Sequence, residues 1–203
     1  STTKGEIIKT RIGMTTTMMR NASVKRSFRR PFPVSFIRVL YASFSRAQVL
    51  CWVCYDSRMT VVIVGLGNPG KEYEKTRHNA GRSAVELVAS LESFGEFVFN
   101  KTANALVNKG VIGGENTILV LPETMMNLSG KAVSAFVKSS KAAKSLVVVH
   151  DDLDLPLGTI KMAFGRGSGG HKGVESIMRA IKTKDFARIR IGISGVGKKN
   201  QAK

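Results

Sequence analysis

Three histidines, His78, His150 and His171, and one dense run of carboxylates are the residues of this chain best suited to moving protons. Between His150 and Asp154, the aspartates at 151, 152 and 154 place three of the twelve acidic residues of positions 59–203 within four positions. Such a cluster can hold a hard metal ion for phosphoryl or nucleotidyl transfer. It can instead orient a histidine and stabilise its imidazolium form. A third reading is a solvated turn at a strand end. No further carboxylate with ligand spacing joins the cluster, which favours orientation of a histidine. Adjacent side chains on a strand point to opposite faces, so only one of Asp151 and Asp152 is expected to serve. A covalent nucleophile is not evident. There is no GxSxG elbow, and Cys51 and Cys54 both lie outside the patterned region. A histidine base, a carboxylate partner and nearby asparagines suggest water attacking an activated acyl group. Asn68 and Asn127 could supply an oxyanion donor or an amide acceptor without adding charge.

Two glycine motifs flank these residues. Gly65-Leu-Gly-Asn-Pro-Gly70 matches GxGxxG directly after a strand, but a dinucleotide fingerprint needs an apolar helix to begin inside the motif. Here Pro69 and the polar string KEYEKTRHN follow, so that reading is set aside. Gly165-Arg-Gly-Ser-Gly-Gly170 precedes His171, Lys172 and a helix. It can form a phosphate-binding nest, with Arg166 and Lys172 adding positive charge, or simply a turn that needs positive φ angles. The basic side chains favour phosphate.

The elements that must position these residues can be read from periodicity. TVVIVG (60–65) and SLVVVH (145–150) are apolar runs of the kind a doubly covered strand shows. Further strands are expected over 103–112, 117–121, 159–164 and 187–193, the first two joined as a hairpin through 113–116. Helices are expected over 80–94, 126–140 and 174–181, the first with Val85, Leu87, Val88 and Leu91 as its apolar stripe. Asn79 is placed to cap it. Strands alternating with helices indicate one α/β domain, a mixed, twisted central sheet flanked by helices, spanning 59–203. His78 would then sit near the carboxyl ends of the strands, where open α/β sheets bind ligands.

The whole chain has 203 residues, 32 basic against 14 acidic, and a formal charge of +18. Residues 1–58 hold 11 basic and 2 acidic residues, so half of that charge belongs to a Ser- and Thr-rich segment without sustained periodicity. It has the character of a transit peptide or of an unstructured extension. Cys51 and Cys54 form a lone CxxC, read as incidental; with only two cysteines, a disulfide-stapled secreted scaffold is excluded. The apolar run 47–55 is too short to span a bilayer, so no membrane association is expected. The basic balance points to a polyanionic partner.

Taken together, VGLGNPG (64–70), YEKTRHNAG (73–81), MNLSGKAV (126–133), HDDLDLPLG (150–158), GSGGHKG (167–173) and RIRIGI (188–193) resemble the bacterial-type peptidyl-tRNA hydrolases. The resemblance covers 60–193 and implies cleavage of the ester between a peptide and the 3′ end of tRNA, with no metal and no cofactor. It implies a catalytic set of His78, Asp151, Asn68 and Asn127: His78 as general base, Asp151 stabilising its protonation state, Asn68 reading the acylated α-nitrogen, and Asn127 binding substrate. Tyr73 would contact the tRNA end, Asn127 the substrate and Arg190 a tRNA phosphate; from the glycine-loop reading, Lys172 and Arg166 are expected to bind tRNA as well. A cytoplasmic monomer is expected, or a mitochondrial or plastid protein if 1–58 is a transit segment. Three departures stand out. Lys172 replaces the usual Asn after the glycine-loop histidine, and Met125 replaces an aromatic. The chain stops at Lys203, whereas family members continue past RIRIGI into a C-terminal helix over the site. These departures and the basic leader leave room for a non-catalytic, intron-splicing-like RNA-binding protein on the same scaffold.

Overall fold

The computed structural model describes residues 60–74 and 76–195. The basic leader, the Cys51/Cys54 pair and the tail 196–203 lie outside the described residues. Seven strands form one sheet in the order β2-β3-β4-β1-β5-β7-β6. They are β1 (Val61–Gly65), β2 (Val98–Asn100), β3 (Ala105–Ile112), β4 (Glu115–Pro122), β5 (Leu146–Pro156), β6 (Ile160–Phe164) and β7 (Ala187–Ser194). The four central strands β4, β1, β5 and β7 run parallel, while β3 pairs antiparallel with both β2 and β4, and β6 with β7. The carboxyl ends of the four parallel strands therefore open on one edge of the sheet, which is where a ligand site is expected in such architectures.

Both faces are covered. Helix α1 (Ala80–Leu91) packs on one, over Val61, Ile63, Val147, Val149 and Ile189. Helices α2 (Ser129–Ser134), α3 (Ser140–Ala143) and α4 (Lys172–Ile181) lie on the other, with Val62, Val64, Leu146, Val148 and Phe186. Continuous burial along β1 follows from this two-sided cover. Among the described residues no helix is long and apolar enough to cross a membrane.

Four details differ from the sequence reading. Leu87 and Leu91 are exposed on α1, and its buried face is Gly81, Val85, Val88 and Ala89. Gly81 sets that rotation, because a side chain there would collide with the carbonyl oxygens of Val149 and Leu66. The expected helix over 126–140 breaks into a 3₁₀ turn at Met126–Leu128, then α2 and α3. The restart is a capping event, since the Ser139 hydroxyl accepts from the Ala142 N–H at 3.1 Å. The edge strand β2 has three residues, all exposed, and no alternation to announce it. Finally, β5 runs on through the acidic cluster to Pro156 because β7 continues to pair with it. Asp151 lies opposite Ile191 and Asp152 opposite Gly192, with an irregularity before Pro156.

Candidate active site

The loops leaving β1 and β4 and the end of β5 each contribute a piece of the site. The loop after β1 carries Asn68 and Tyr73, then a 3₁₀ turn at Arg77–Asn79 that presents His78. This turn is pinned by the Thr76 N–H and hydroxyl, both on the Tyr73 carbonyl (3.0 and 2.8 Å), and by Arg77, which donates to the Ile193 carbonyl at the end of β7 (3.4 Å). Asn79 is the residue before α1, yet its side chain makes no cap bond. It pairs with Asn68 instead: the Asn68 N–H donates to Asn79 Oδ1 at 2.8 Å, and Asn79 Nδ2 donates to the Asn68 carbonyl at 2.9 Å. With Asn79 2% exposed, this reciprocal pair fixes the β1 loop against the start of α1.

Asn68 then reaches the next loop. Its Oδ1 accepts the Met126 N–H at 2.8 Å, which holds the 3₁₀ turn carrying the exposed Asn127 beside it. No bond to Asn68 Nδ2 is made among the described residues, so that group is available as a donor. Helix α2, which follows this turn directly, is seated against α4 by the Gly130 N–H, which donates to Ser176 Oγ at 3.0 Å.

Asp151, at the end of β5, is the hub. It is 5% exposed, and all three of its oxygens accept from histidine: Oδ2 from His78 Nδ1 at 2.8 Å, Oδ1 from His171 Nε2 at 3.0 Å, and the backbone carbonyl from His150 Nδ1 at 2.7 Å. Burial pushes the Asp151 carboxyl up, but the hydrogen bonds from His171 and then His78 outweigh it, and the group lies below the ordinary carboxylate value. It is therefore an ionised acceptor, and the proton in each contact sits on the imidazole. For His78 this leaves Nε2 as a lone pair on a side chain that is 60% exposed. For His171 the tautomer is fixed from both ends. Its Nδ1 accepts the Gly173 and Val174 N–H groups as the cap of α4 (3.2 and 3.3 Å), so Nε2 carries the hydrogen.

That cap also bears on the glycine loop. Two N–H groups at the start of α4, which an anion would need, are already bonded to His171. Gly165, Gly169 and Gly170 all have positive φ, as a tight turn requires. The turn reading thus accounts for Gly165, Gly169 and Gly170. Arg166 and Lys172 remain exposed beside it.

Asp152 points the other way, as strand alternation requires. Its Oδ2 accepts Arg190 Nε at 2.6 Å and its Oδ1 the Asp154 N–H at 2.9 Å. Burial raises its carboxyl, and the Arg190 and Asp154 hydrogen bonds together carry it below the usual value. Arg190 is thus held by a carboxylate through one edge of its guanidinium. Tyr73 is half-buried. Among the described residues no group of three or more His, Cys, Asp or Glu converges as a metal site. A cavity of about 370 Å³ opens beyond the Asn68–Asn79 pair, lined by Gly70, Glu74, Arg82, Ser83 and Glu86. His78 and Asp151 do not line it; the His78 side chain is exposed and Asp151 is buried behind it.

The family resemblance implied the set His78, Asp151, Asn68 and Asn127, and the structure brings all four to the carboxyl edge of the sheet. Sequence reasoning missed that His171 is the second imidazole on Asp151 and that His150 is the third. The signal available was that a chain with three histidines places two of them beside the acidic cluster or at the head of α4.

An open α/β sheet with an imidazole–carboxylate pair and two amides at its carboxyl edge defines a hydrolase-like site. The family model described as peptidyl-tRNA hydrolase matches residues 62–203, and this chain belongs to that family. It is 47% identical over 135 residues to the peptidyl-tRNA hydrolase of Koribacter versatilis, covering 66% of each chain. It is 49% identical over 140 residues to that of Aquifex aeolicus, covering 68% of this chain and 71% of the relative. The crystal structure of the Acinetobacter baumannii peptidyl-tRNA hydrolase superposes with a TM-score of 0.64 at 38% identity, covering 72% of this chain and 74% of that one. The chain thus spans about two thirds of the length of the curated relatives it matches.

Proposed function

We propose that this chain is an enzyme that hydrolyses the ester between the peptide and the 3′ end of tRNA in peptidyl-tRNA, releasing both. The observation that carries this is the 2.8 Å bond from His78 Nδ1 to an ionised, buried Asp151, in a member of this family. With its Nδ1 proton committed, His78 offers Nε2 to a water as general base. Asp151 stabilises the imidazolium that forms while the water attacks the ester carbonyl. Asn68 Nδ2, which has no partner among the described residues, and the exposed Asn127 amide supply neutral donors for the developing oxyanion. Asn68 Oδ1 keeps a second lone pair for the amide N–H of an acylated α-nitrogen. No step calls for a metal or a cofactor. Tyr73 would meet the tRNA end, and Arg190, Lys172 and Arg166 its phosphates. The reading favours a monomer acting in the cytoplasm, or in a mitochondrion or plastid if 1–58 is a transit segment.

The test is turnover of an N-blocked aminoacyl-tRNA beside free aminoacyl-tRNA, with and without EDTA. Hydrolysis of the blocked substrate alone, unchanged by EDTA, is expected. Binding of both without turnover would select the RNA-binding alternative, and loss of activity in EDTA with recovery on Mg²⁺ would restore a metal role to the acidic cluster.

A further inference from the structure

His150 takes no part in the chemistry just described, yet it is 1% exposed and among the largest fully buried side chains of the domain. Its Nδ1 donates to the carbonyl of the next residue, Asp151, at 2.7 Å. A carbonyl only accepts, so the hydrogen is on Nδ1. Its Nε2 is buried with no hydrogen-bond partner among the described residues. A leucine here would fill the same place in the apolar layer of Leu146 and Val148 without an orphaned nitrogen. The polar ring therefore calls for an explanation beyond packing.

The ring also meets His171 edge to face, with centroids 4.6 Å apart and planes at 62°. His171 in turn is the residue that caps α4 and donates Nε2–H to Asp151 Oδ1. His150 thus touches the hub twice, once through the Asp151 backbone and once through the imidazole that holds one carboxylate oxygen.

We propose that His150 is a positioning residue for hydrolysis: its Nδ1–H fixes the Asp151 peptide, while its ring fills the space against His171. The donor contact holds the carboxylate with Oδ2 on His78 before substrate arrives. The inference rests on the His78–Asp151 reading above. It needs a neutral ring, since a proton on Nε2 would be a buried donor without an acceptor. The surroundings keep it neutral. Burial is the largest influence and His171 the next, with Arg188 on β7 adding repulsion. The Asp151 carbonyl and Asp152 oppose them, and the pKa is pushed down to about 4. Arg190, opposite His150 in the β5–β7 register, has its own charge taken up by Asp152.

Two substitutions separate the two contacts. His150→Phe keeps a ring against His171 and removes the donor. His150→Asn removes the ring and keeps an N–H near the place of Nδ1. On N-blocked aminoacyl-tRNA, His150→Phe is expected to lower kcat by roughly 10- to 100-fold with KM little changed, the scale of a misplaced reacting group. His150→Asn should recover most of that loss. In ¹⁵N spectra of the imidazoles, wild-type protein and His150→Asn should show His78 protonated on Nδ1 and His171 on Nε2, and His150→Phe should lose that pattern. Wild-type kcat and an unchanged spectrum in His150→Phe would overturn the proposal, as would equal kcat in the two variants. If His150→Phe does not fold, the spectrum of His150→Asn decides alone, and loss of the pattern there counts against the donor role. His78→Ala run alongside keeps the two readings apart. Full activity in that variant would remove the base assignment, while the spectra would still report on His150.

Discussion

Asp151 and Asp152 are chemically identical neighbours on one strand, and they do opposite work. The first turns toward three histidines and spends every oxygen on an imidazole. The second turns toward β7 and holds Arg190 at 2.6 Å. A single peptide unit therefore divides the acidic cluster into a proton-handling half and a half that aims a cation at the surface. The lesson is that a run of carboxylates should be read through the period of its strand before it is read as a metal site.

The comparison is sharpened most by giving both residues the same substitution. Asp151→Asn leaves one acceptor oxygen and adds an N–H, so one imidazole loses its partner or adopts the other tautomer. We expect kcat on N-blocked aminoacyl-tRNA to fall roughly 10³- to 10⁴-fold, as when the carboxylate of a catalytic histidine is neutralised. Arg190→Ala should leave kcat near wild type, weaken kcat/KM by about tenfold, and flatten the log kcat/KM against log [salt] slope by about one, because one phosphate contact is lost. Asp152→Asn should cost about two- to fivefold in kcat/KM, since it only loosens the aim of Arg190. Comparable kcat losses in the two aspartate variants would erase the division.

Stability should follow the same split in pH. Between pH 6.5 and about 4 the unfolded chain protonates the His150 position while the folded chain does not. Its contribution is whole above pH 6.5 and is lost progressively as pH falls toward 4, by about 3 kcal/mol. Asp151 and Asp152, both held below the ordinary 3.8, add stability that disappears only at more acid pH, as they take up protons. Thermal melts across this range should show wild type losing stability below pH 6.5 and His150→Phe losing less. Parallel curves would contradict the buried neutral ring.

The sheet and its alternation with helices were legible because strands and loops announce themselves in local pattern; His78, Asn68 and Asn127 stood out as candidates by residue type, and only the family resemblance chose Asp151 over Asp152 and joined the four as a set. What was not legible depends on long-range partners. Asn79 sits where a cap belongs, but the Asn68 backbone 11 residues away offers better use of its buried amide. The charge of residues 151–154 suggests a turn, yet pairing with β7 carries β5 through them. His171 looks like part of a phosphate loop, and only the fold brings its ring to a carboxylate 20 residues earlier. Leu87 and Leu91 have helical spacing, but the close approach at Gly81 decides which face of α1 is buried.

The central claim is that His78, braced by Asp151, is the base that activates water. Single-turnover hydrolysis of N-blocked aminoacyl-tRNA by wild type and His78→Ala at neutral pH tests it most directly. The account predicts a loss of roughly 10²- to 10⁴-fold in the rate with tRNA binding retained. A wild-type rate in His78→Ala would contradict it.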